Sequence, residues 1–210
     1  MGPCTAQRLT EKVYWVGAID WSVRDFHGYS TSRGSTYNAF LVIDEKITLI
    51  DTVKKPFMSE MLARVASVVD PGRIDYIVSN HSEMDHTGCL PGIISVVEPE
   101  KVFAAPMGVK ALRAHFHFEE GIVTPVKTGE AISLGESSLA FLETRMLYWP
   151  DSMVSYLDTE RILFSQDGFG MHLASTERYD DQIDPYVLRQ EAEKYFANIL
   201  LPFSPMVTGL

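Results

Sequence analysis

The chain has 210 residues, of which 46% are hydrophobic and 22% charged, and its formal net charge is −10. This composition is typical of a globular domain and excludes a disordered chain. Because no basic cluster exceeds Lys54-Lys55, nucleic acid is not expected as a partner. No apolar run is long enough to cross a bilayer, and Met1 to Thr5 show no secretory leader. We therefore expect one cytoplasmic domain over residues 1–210.

The first third of the chain alternates strand and helix signals. Residues 12–19 predict a first strand, and residues 20–37, rich in Gly, Ser and Thr, predict a long non-helical connection. Two apolar runs, 38–43 and 47–51, predict a hairpin around a polar turn. Helical spacing of apolar residues predicts a helix over 58–69, which Asp70-Pro71-Gly72 ends. Residues 74–78 then predict a short buried strand.

A dense cluster of ionisable residues, His81-Ser82-Glu83-Met84-Asp85-His86, follows that strand. Imidazoles and carboxylates together suit Zn, Fe, Mn or Ni, and the absence of Cys within the run argues against a thiolate or iron–sulfur site. A solvated polar loop is the simpler alternative. On an irregular loop, His81 and Glu83 can point one way while Asp85 and His86 point the other. That arrangement suits two metal ions about 3.5–4 Å apart.

The rest of the chain continues the alternation and adds one more carboxylate. Strands are predicted over 102–105, 122–126, 131–134, 139–143 and 162–165, and helices over 91–97, 109–116 and 188–201. Asp167 lies just past the last of these strands. Strand ends that meet across two sheets flanked by helices predict an α+β fold, the αββα four-layer sandwich.

These segments, taken in order, resemble a known family. The run H-x-E-x-D-H after a strand resembles the metal motif of the metallo-β-lactamase fold, and Glu at its third position is similar to the diiron branch, the flavodiiron proteins (A-type flavoproteins). Further segments that resemble that family's signatures are 15–21, 26–29, 34–39, 49–54, 149–153 and 163–170. The resemblance implies a metallo-β-lactamase-like domain along nearly the whole chain.

The resemblance also implies a ligand set for two Fe ions, with Zn possible. His81 and Glu83 match ligands of the first iron, and Asp85, with His86 in some members, matches the second. Asp167 matches a carboxylate that bridges both ions. His27, in the long connection, is predicted to reach the site as a hydrogen-bonding neighbour of the ligands, with plain loop packing as the alternative.

The chain departs from the family pattern at two places. Tyr148 stands where the pattern has a ligating His, and we expect a weakened or vacant ligand position there rather than a Tyr–iron bond. The family's last His ligand lies beyond a helix like 188–201, and no matching His precedes Leu210. We therefore expect a chain truncated before its final ligand segment, with His172 as the spare imidazole near Asp167. FMN is expected only from a missing flavodoxin-like domain or a partner.

The function that the resemblance implies is an oxidoreductase of electron transport, detoxifying oxygen or nitric oxide by reducing O2 to water, NO to N2O, or both. Electrons would come from FMN in a head-to-tail homodimer, supplied by a donor such as rubredoxin or a flavoprotein. Two alternatives remain: a dinuclear zinc hydrolase of the same fold, against which Glu83 argues, and a metal-deficient, non-catalytic relative. The departures leave the activity of the isolated chain open.

Overall fold

A computed structural model describes residues 4–209, so part of the segment on which the leader prediction rests lies outside the described residues. The strands are β1 (Gln7–Arg8), β2 (Val13–Trp15), β3 (Ala18–Asp20), β4 (Asp25–Phe26), β5 (Tyr29–Ser30), β6 (Ser35–Tyr37), β7 (Phe40–Val42), β8 (Thr48–Ile50), β9 (Tyr76–Ser79), β10 (Lys101–Ala104), β11 (Val123–Pro125), β12 (Ala131–Ser133), β13 (Ser138–Glu143), β14 (Met153–Leu157) and β15 (Ile162–Phe164). The α-helices are α1 (Met58–Ala66), α2 (Met84–Thr87), α3 (Leu90–Val97), α4 (Pro106–Phe116), α5 (Pro185–Tyr195) and α6 (Ser204–Val207).

Two sheets form the body of the fold. The larger has the order β1-β2-β7-β8-β9-β10-β11, with antiparallel pairing from β1 to β8 and parallel pairing from β8 to β11. The smaller, β12-β13-β14-β15, is antiparallel throughout. The predicted hairpin is confirmed as β7 and β8. Because β8 and β9 are parallel neighbours, the residues that follow them meet at one edge of the sheet.

Two apolar cores separate the layers. One lies between the helices and the larger sheet, where Met61 and Val65 of α1 and Leu90 and Ile93 of α3 are fully buried. The other lies between the two sheets and contains residues of both, such as Val78 and Phe141. The predicted helices over 58–69, 91–97 and 109–116 correspond to α1, α3 and α4, and all begin or end within three residues of the predicted limits. The two cores therefore hold β9, the strand that leads into the cluster at 81–86, from both faces.

The predicted first strand over 12–19 is interrupted. Residues 13–15 join the larger sheet as β2, whereas residues 18–20 pair with β6. Gly17 lies at the break, where a Cβ atom would come within 2.1 Å of the Tyr37 carbonyl oxygen. The chain can therefore leave the larger sheet and pair with β6 only if the residue at the break has no side chain. The alternation of apolar and polar residues does not reveal this packing requirement.

Two other predictions needed revision. The connection over 20–37 is non-helical, as predicted, but contains β4, β5 and β6. Strand β14 had no specific prediction. The helix predicted over 188–201 begins earlier, at Pro185, where the Asp184 side chain accepts a hydrogen bond from the Tyr186 N–H. It passes at Phe196–Leu200 into a π-helical turn.

Candidate metal centre

The cluster at 81–86 is positioned by the paired ends of β8 and β9. The Asn80 N–H donates to Asp51 Oδ1 at 2.7 Å, and Asn80 Nδ2 donates to Ser155 Oγ at 3.1 Å. Thr52 donates to the His86 carbonyl oxygen from both its N–H (2.8 Å) and its hydroxyl (2.6 Å). The segment is not a wholly irregular loop, because Met84–Thr87 forms the short helix α2. His81 and Glu83 precede this helix, whereas Asp85 and His86 lie within it.

The predicted ligands fall into two trios that share one carboxylate. In the first trio, His81, Glu83 and Asp167 bring one ligand atom each within 4.8 Å of one another, and in the second Asp85, His86 and Asp167 do the same. His81 Nε2 lies 3.4 Å from Glu83 Oε2 and 3.5 Å from Asp167 Oδ2. His86 Nε2 lies 3.1 Å from Asp167 Oδ1. Asp167 therefore turns a different oxygen toward each histidine.

A buried carboxylate that the sequence reading did not single out orients His81. Asp151 Oδ2 accepts hydrogen bonds from His81 Nδ1 (3.1 Å), from the Ser82 N–H (2.7 Å) and from the Ser82 hydroxyl (2.7 Å). With Nδ1 donating, neutral His81 presents the lone pair of Nε2 to the trio. Asp151 lies within the segment 149–153, which resembles a family signature. Its contact with a residue 70 positions earlier depends on the packing of the two sheets.

Both oxygens of Glu83 are held by side chains from elsewhere in the chain. His27 Nε2 lies 2.9 Å from Glu83 Oε1, and the Tyr148 hydroxyl donates to Glu83 Oε2. The same hydroxyl lies 3.0 Å from His27 Nε2. Burial, reinforced by the Glu83 carboxylate, raises the pKa of Tyr148 above its ordinary value, so its phenol stays protonated at neutral pH. Tyr148 thus touches the first trio as a hydrogen-bond donor.

The remaining histidines lie outside both trios. His27 and His172 are joined to each other by a hydrogen bond of 3.0 Å between His27 Nδ1 and His172 Nε2. His115, near the end of α4, has its ring 6.5 Å from that of Trp149. Neither His115 nor His117 belongs to a ligand group within residues 4–209.

One observation, which does not depend on the family resemblance, indicates that the trios can bind metal ions. Within the described part of the chain, three buried ligand atoms have no hydrogen-bond partner, namely His81 Nε2, Asp85 Oδ1 and Asp167 Oδ2. Leaving such atoms unpaired is costly, so each indicates a missing partner. A set of nitrogen and oxygen ligands without thiolate suits iron and also zinc.

The ionisable groups at the site shift one another's pKa values. Burial alone would lower the pKa of His81, but the hydrogen-bonded carboxylate of Asp151 and the negative charge of the nearby Glu83 raise it to about 9. The pKa of His86 is raised well above its usual value by Asp85 and Asp167, again against burial. Burial and the neighbouring carboxylates raise the pKa of Asp85, whereas His86 lowers that of Asp167. Such mutual dependence is typical of a functional centre.

A cavity of about 340 Å³ opens beside the second trio. Its wall includes Asp85, His86 and Asp167 on one side and Gly170 and Tyr179 on another. The volume is several times that of one water molecule, which is about 30 Å³. A small substrate therefore has room next to the ligands.

Two packed sheets with helices outside, and a cluster of His and carboxylate ligands at the strand ends, define a metallo-β-lactamase-like fold. The sequence model described as "ODP family beta lactamase" matches residues 36–200, and the chain belongs to this family. The predicted fold class is thereby confirmed.

The similar proteins are flavodiiron proteins, as the sequence resemblance indicated. The chain is 49% identical over 201 residues to the rubredoxin-oxygen oxidoreductase of Megalodesulfovibrio gigas and 46% identical over 202 residues to the nitric oxide reductase of Moorella thermoacetica. These matches cover 95% of this chain but only 50% and 51% of the relatives, so the chain spans about half their length.

Solved structures agree with the sequence matches. The rubredoxin oxygen:oxidoreductase from Desulfovibrio gigas superposes with a TM-score of 0.94 and 48% identity, covering 96% of this chain and 51% of that one. The flavodiiron protein from Giardia intestinalis gives a TM-score of 0.91 with 35% identity, covering 96% and 49%. No helix within the described residues is long and apolar enough to span a membrane.

Proposed function

We propose that this chain, over its whole length, is the diiron domain of a flavodiiron oxidoreductase that reduces O2 to water, NO to N2O, or both. The observation that carries the proposal is the pair of ligand trios joined by Asp167, with three buried ligand atoms left without partners within residues 4–209. Relatives named as an oxygen oxidoreductase and a nitric oxide reductase support it. The electrons come from an FMN held by another domain or subunit.

The ligand arrangement assigns a task to each side chain. His81 and Glu83 would hold one metal ion, Asp85 and His86 would hold the other, and Asp167 has one oxygen available to each. When bound, two iron ions would pass to the gas electrons that the FMN replenishes. Asp151 keeps the Nε2 lone pair of His81 directed at the site, and His27 restrains Glu83. The adjoining cavity of about 340 Å³ admits a small substrate.

The partners of the whole protein follow from the family. The name of the M. gigas relative supports a rubredoxin-type electron donor, with a flavoprotein as the other possible donor. A head-to-tail homodimer, which would bring the FMN of one subunit to the iron site of another, is proposed from the resemblance alone. A cytoplasmic location stays a prediction.

Metal analysis of the purified chain, before and after anaerobic loading with Fe(II), tests this proposal. We expect about two iron ions per chain, followed by consumption of O2 or NO when a reduced flavoprotein supplies electrons. Zinc retained in preference to iron, with hydrolysis of ester or phosphodiester substrates, would favour the zinc hydrolase instead. Failure to bind either metal would contradict both.

A metal-deficient, non-catalytic relative is the second candidate, and Tyr148 is the observation that favours it. Its hydroxyl already satisfies Glu83 Oε2, the oxygen that faces His81, and its phenol is poorly suited to bind metal while protonated. On this alternative the fold persists without a complete first metal position.

Replacement of Tyr148 separates the two candidates. Tyr148→His restores an imidazole, whereas Tyr148→Phe removes the hydroxyl without supplying a ligand and serves as the control. If the first metal position is functional but weakened, Tyr148→His raises iron content and gas reduction in the full-length protein above both Tyr148→Phe and the parent. If neither the iron content nor the gas reduction rises, the metal-deficient alternative is supported.

A further inference from the structure

Three buried side chains outside both trios form a hydrogen-bonded line that ends on Glu83. Ser35 Oγ lies 2.9 Å from His172 Nδ1, His172 Nε2 lies 3.0 Å from His27 Nδ1, and His27 Nε2 lies 2.9 Å from Glu83 Oε1. Ser35 and His172 are only 2% and 5% exposed. We refer to Ser35, His172 and His27 as the Ser-His-His line. Its members come from three separate segments, β6, the connection after β15, and the turn between β4 and β5.

The turn that carries His27 holds the ring firmly. His27 and Gly28 form the two-residue connection of a hairpin and both have positive φ angles, 55° and 76°, as a type I′ turn requires. The imidazole stacks on Phe26, with ring centroids 4.1 Å apart and an angle of 18° between planes. With the ring fixed, the remaining variable is which nitrogen carries the hydrogen.

The contacts along the line determine the direction of every hydrogen bond. A neutral imidazole has one donor and one acceptor nitrogen. In neutral His27, Nε2 faces a carboxylate oxygen, so that nitrogen donates and Nδ1 accepts. The Tyr148 hydroxyl, 3.0 Å from the same nitrogen, gives its one hydrogen to Glu83 Oε2 and so can only accept from His27. His172 must then donate from Nε2 and accept at Nδ1, where the Ser35 hydroxyl is the donor. Within residues 4–209, Ser35 Oγ has no other hydrogen-bond partner, so the Ser35 hydroxyl can donate only to His172 Nδ1.

The surroundings of His172 agree with this assignment. Burial, with the nearby His27, lowers the pKa of His172 to about 4, so the ring is neutral at pH 7 and cannot donate from both nitrogens. The Ser35 hydroxyl at one end of the line and the Glu83 carboxylate at the other therefore favour the same tautomers of His172 and His27.

The opposite tautomer of His27 would disturb the first trio. With the hydrogen on Nδ1, the lone pair of Nε2 would lie 2.9 Å from the negatively charged Glu83 Oε1, and both would be acceptors. Glu83 would turn away or take up a proton. Because Glu83 Oε2 is the oxygen that faces His81, either change alters the ligand geometry of the first trio but leaves Asp85 and His86 untouched.

We propose that Ser35 and His172 are positioning residues of the centre, which hold His27 in the tautomer that donates from Nε2 and thereby orient Glu83 for the first metal ion. The effect on metal binding depends on the proposed function, whereas the tautomer assignment does not. Side chains behind metal ligands of this kind typically change metal affinity by about 10–100-fold when removed.

The first experiment reads the tautomers directly, by ¹⁵N NMR of the chain with labelled histidine, metal-free and with Zn(II) as a diamagnetic probe. We expect His27 to carry its hydrogen on Nε2 in the parent protein. Ser35→Ala should populate the other tautomer of His172 and of His27. Thr36→Ala is the matched control: Thr36 neighbours Ser35 on β6 and donates to the Leu173 carbonyl oxygen at 2.7 Å, outside the line.

A second substitution separates tautomer selection from simple packing. In His172→Gln, the amide can donate from Nε2 to His27 and accept from Ser35 at Oε1, and it has no alternative tautomer. We therefore expect His172→Gln to keep the hydrogen of His27 on Nε2, and Ser35→Ala to have no further effect on His27 in that background. An effect of Ser35→Ala that persists unchanged in the His172→Gln background would overturn the assignment.

Zn(II) titration against a chromophoric chelator supplies the affinity measurement. We expect two binding steps, of which Ser35→Ala weakens one by about tenfold while Thr36→Ala changes neither. A hydrogen on His27 Nδ1 in the parent, or two unchanged steps in Ser35→Ala, would contradict the inference while leaving the proposed function intact. A parent chain that binds no metal would contradict the proposed function, and the NMR result would still decide the tautomer.

Discussion

The two ligand trios share Asp167 but are stabilised in different ways. In the first, His81 is oriented by Asp151, and Glu83 is held at both oxygens by His27 and Tyr148. In the second, His86 lies between two carboxylates, 3.1 Å from Asp167 and 3.7 Å from Asp85, and Asp85 Oδ1 has no partner within the described residues. The first trio is oriented by groups around it, whereas the second is held by attraction among its own members.

This contrast indicates which substitutions should weaken metal binding at each position. A trio oriented from outside loses affinity when a supporting residue is removed, even though no ligand changes. A trio held by its own charges depends chiefly on the number of carboxylates, because burial raises the pKa of Asp85 and only a cation nearby offsets that cost. Substitutions around the centre should therefore affect the two positions unequally.

The largest effect is expected from the one residue common to both trios. Asp167→Asn keeps one oxygen but removes the charge that faces His81 and His86, so both metal positions should weaken, by at least about 100-fold. Metal content after desalting measures this. Asp181→Asn, at an exposed carboxylate, is the control and should retain the parent content. One metal ion still bound at the parent affinity in Asp167→Asn would contradict a shared ligand.

A smaller and one-sided effect is expected from Asp151→Asn. The amide can accept from Ser82 but presents a donor or a weaker acceptor to His81 Nδ1, so the Nε2 lone pair is no longer fixed toward the site. We expect one of the two metal-binding steps to weaken by about 10–100-fold and the other to change little. Isothermal titration with Zn(II) resolves the steps. Equal loss in both would mean that the trios are not independently supported.

The fold could be predicted from the sequence in segments that have one regular spacing of apolar residues. The hairpin β7–β8 and the helices α1, α3 and α4 have regular apolar spacing, and their predictions are confirmed. The interruption at Gly17 could not be read, because it depends on the approach of the Tyr37 carbonyl from another strand. Pro185 and Asp184 were a readable helix start that the apolar pattern obscured.

The residues of the candidate site also divide into those that the sequence predicted and those that it did not. The cluster His81, Glu83, Asp85 and His86 was predicted from ligand type and its place after a strand, and Asp167 from the family resemblance. The structure brings ligand atoms of all five residues together in the two trios. Asp151 and Ser35 were not, because an Asp or a Ser near a strand is common. Their roles appear only when distant segments pack, Asp151 against His81 and Ser35 against His172. Ligands leave a local pattern in sequence, whereas the groups that orient them, apart from His27, do not.

The remaining predictions concern pH, and their effects are spread over about two pH units. The pKa of His81, raised to about 9 in the metal-free protein, means that a metal ion must displace a proton from this ring at neutral pH. Binding at the first position should therefore weaken by about tenfold per unit as pH falls below about 9, with release of about one proton. Titrations in buffers of different ionisation enthalpy measure that proton. Affinity that is constant between pH 7 and pH 9 would contradict the charge assignment.

The stability of the metal-free chain should change in the opposite direction over the same range. Because the folded-state pKa of His81 lies above the unfolded value of about 6.5, its contribution is fully present below pH 6.5 and is lost as pH rises through about 9. The difference of about 2.5 units corresponds to at most about 3 kcal/mol in the free energy of unfolding. Urea unfolding at pH 6.5 and pH 9 measures it, and Asp151→Asn should reduce the difference by removing the strongest hydrogen bond that raises the pKa.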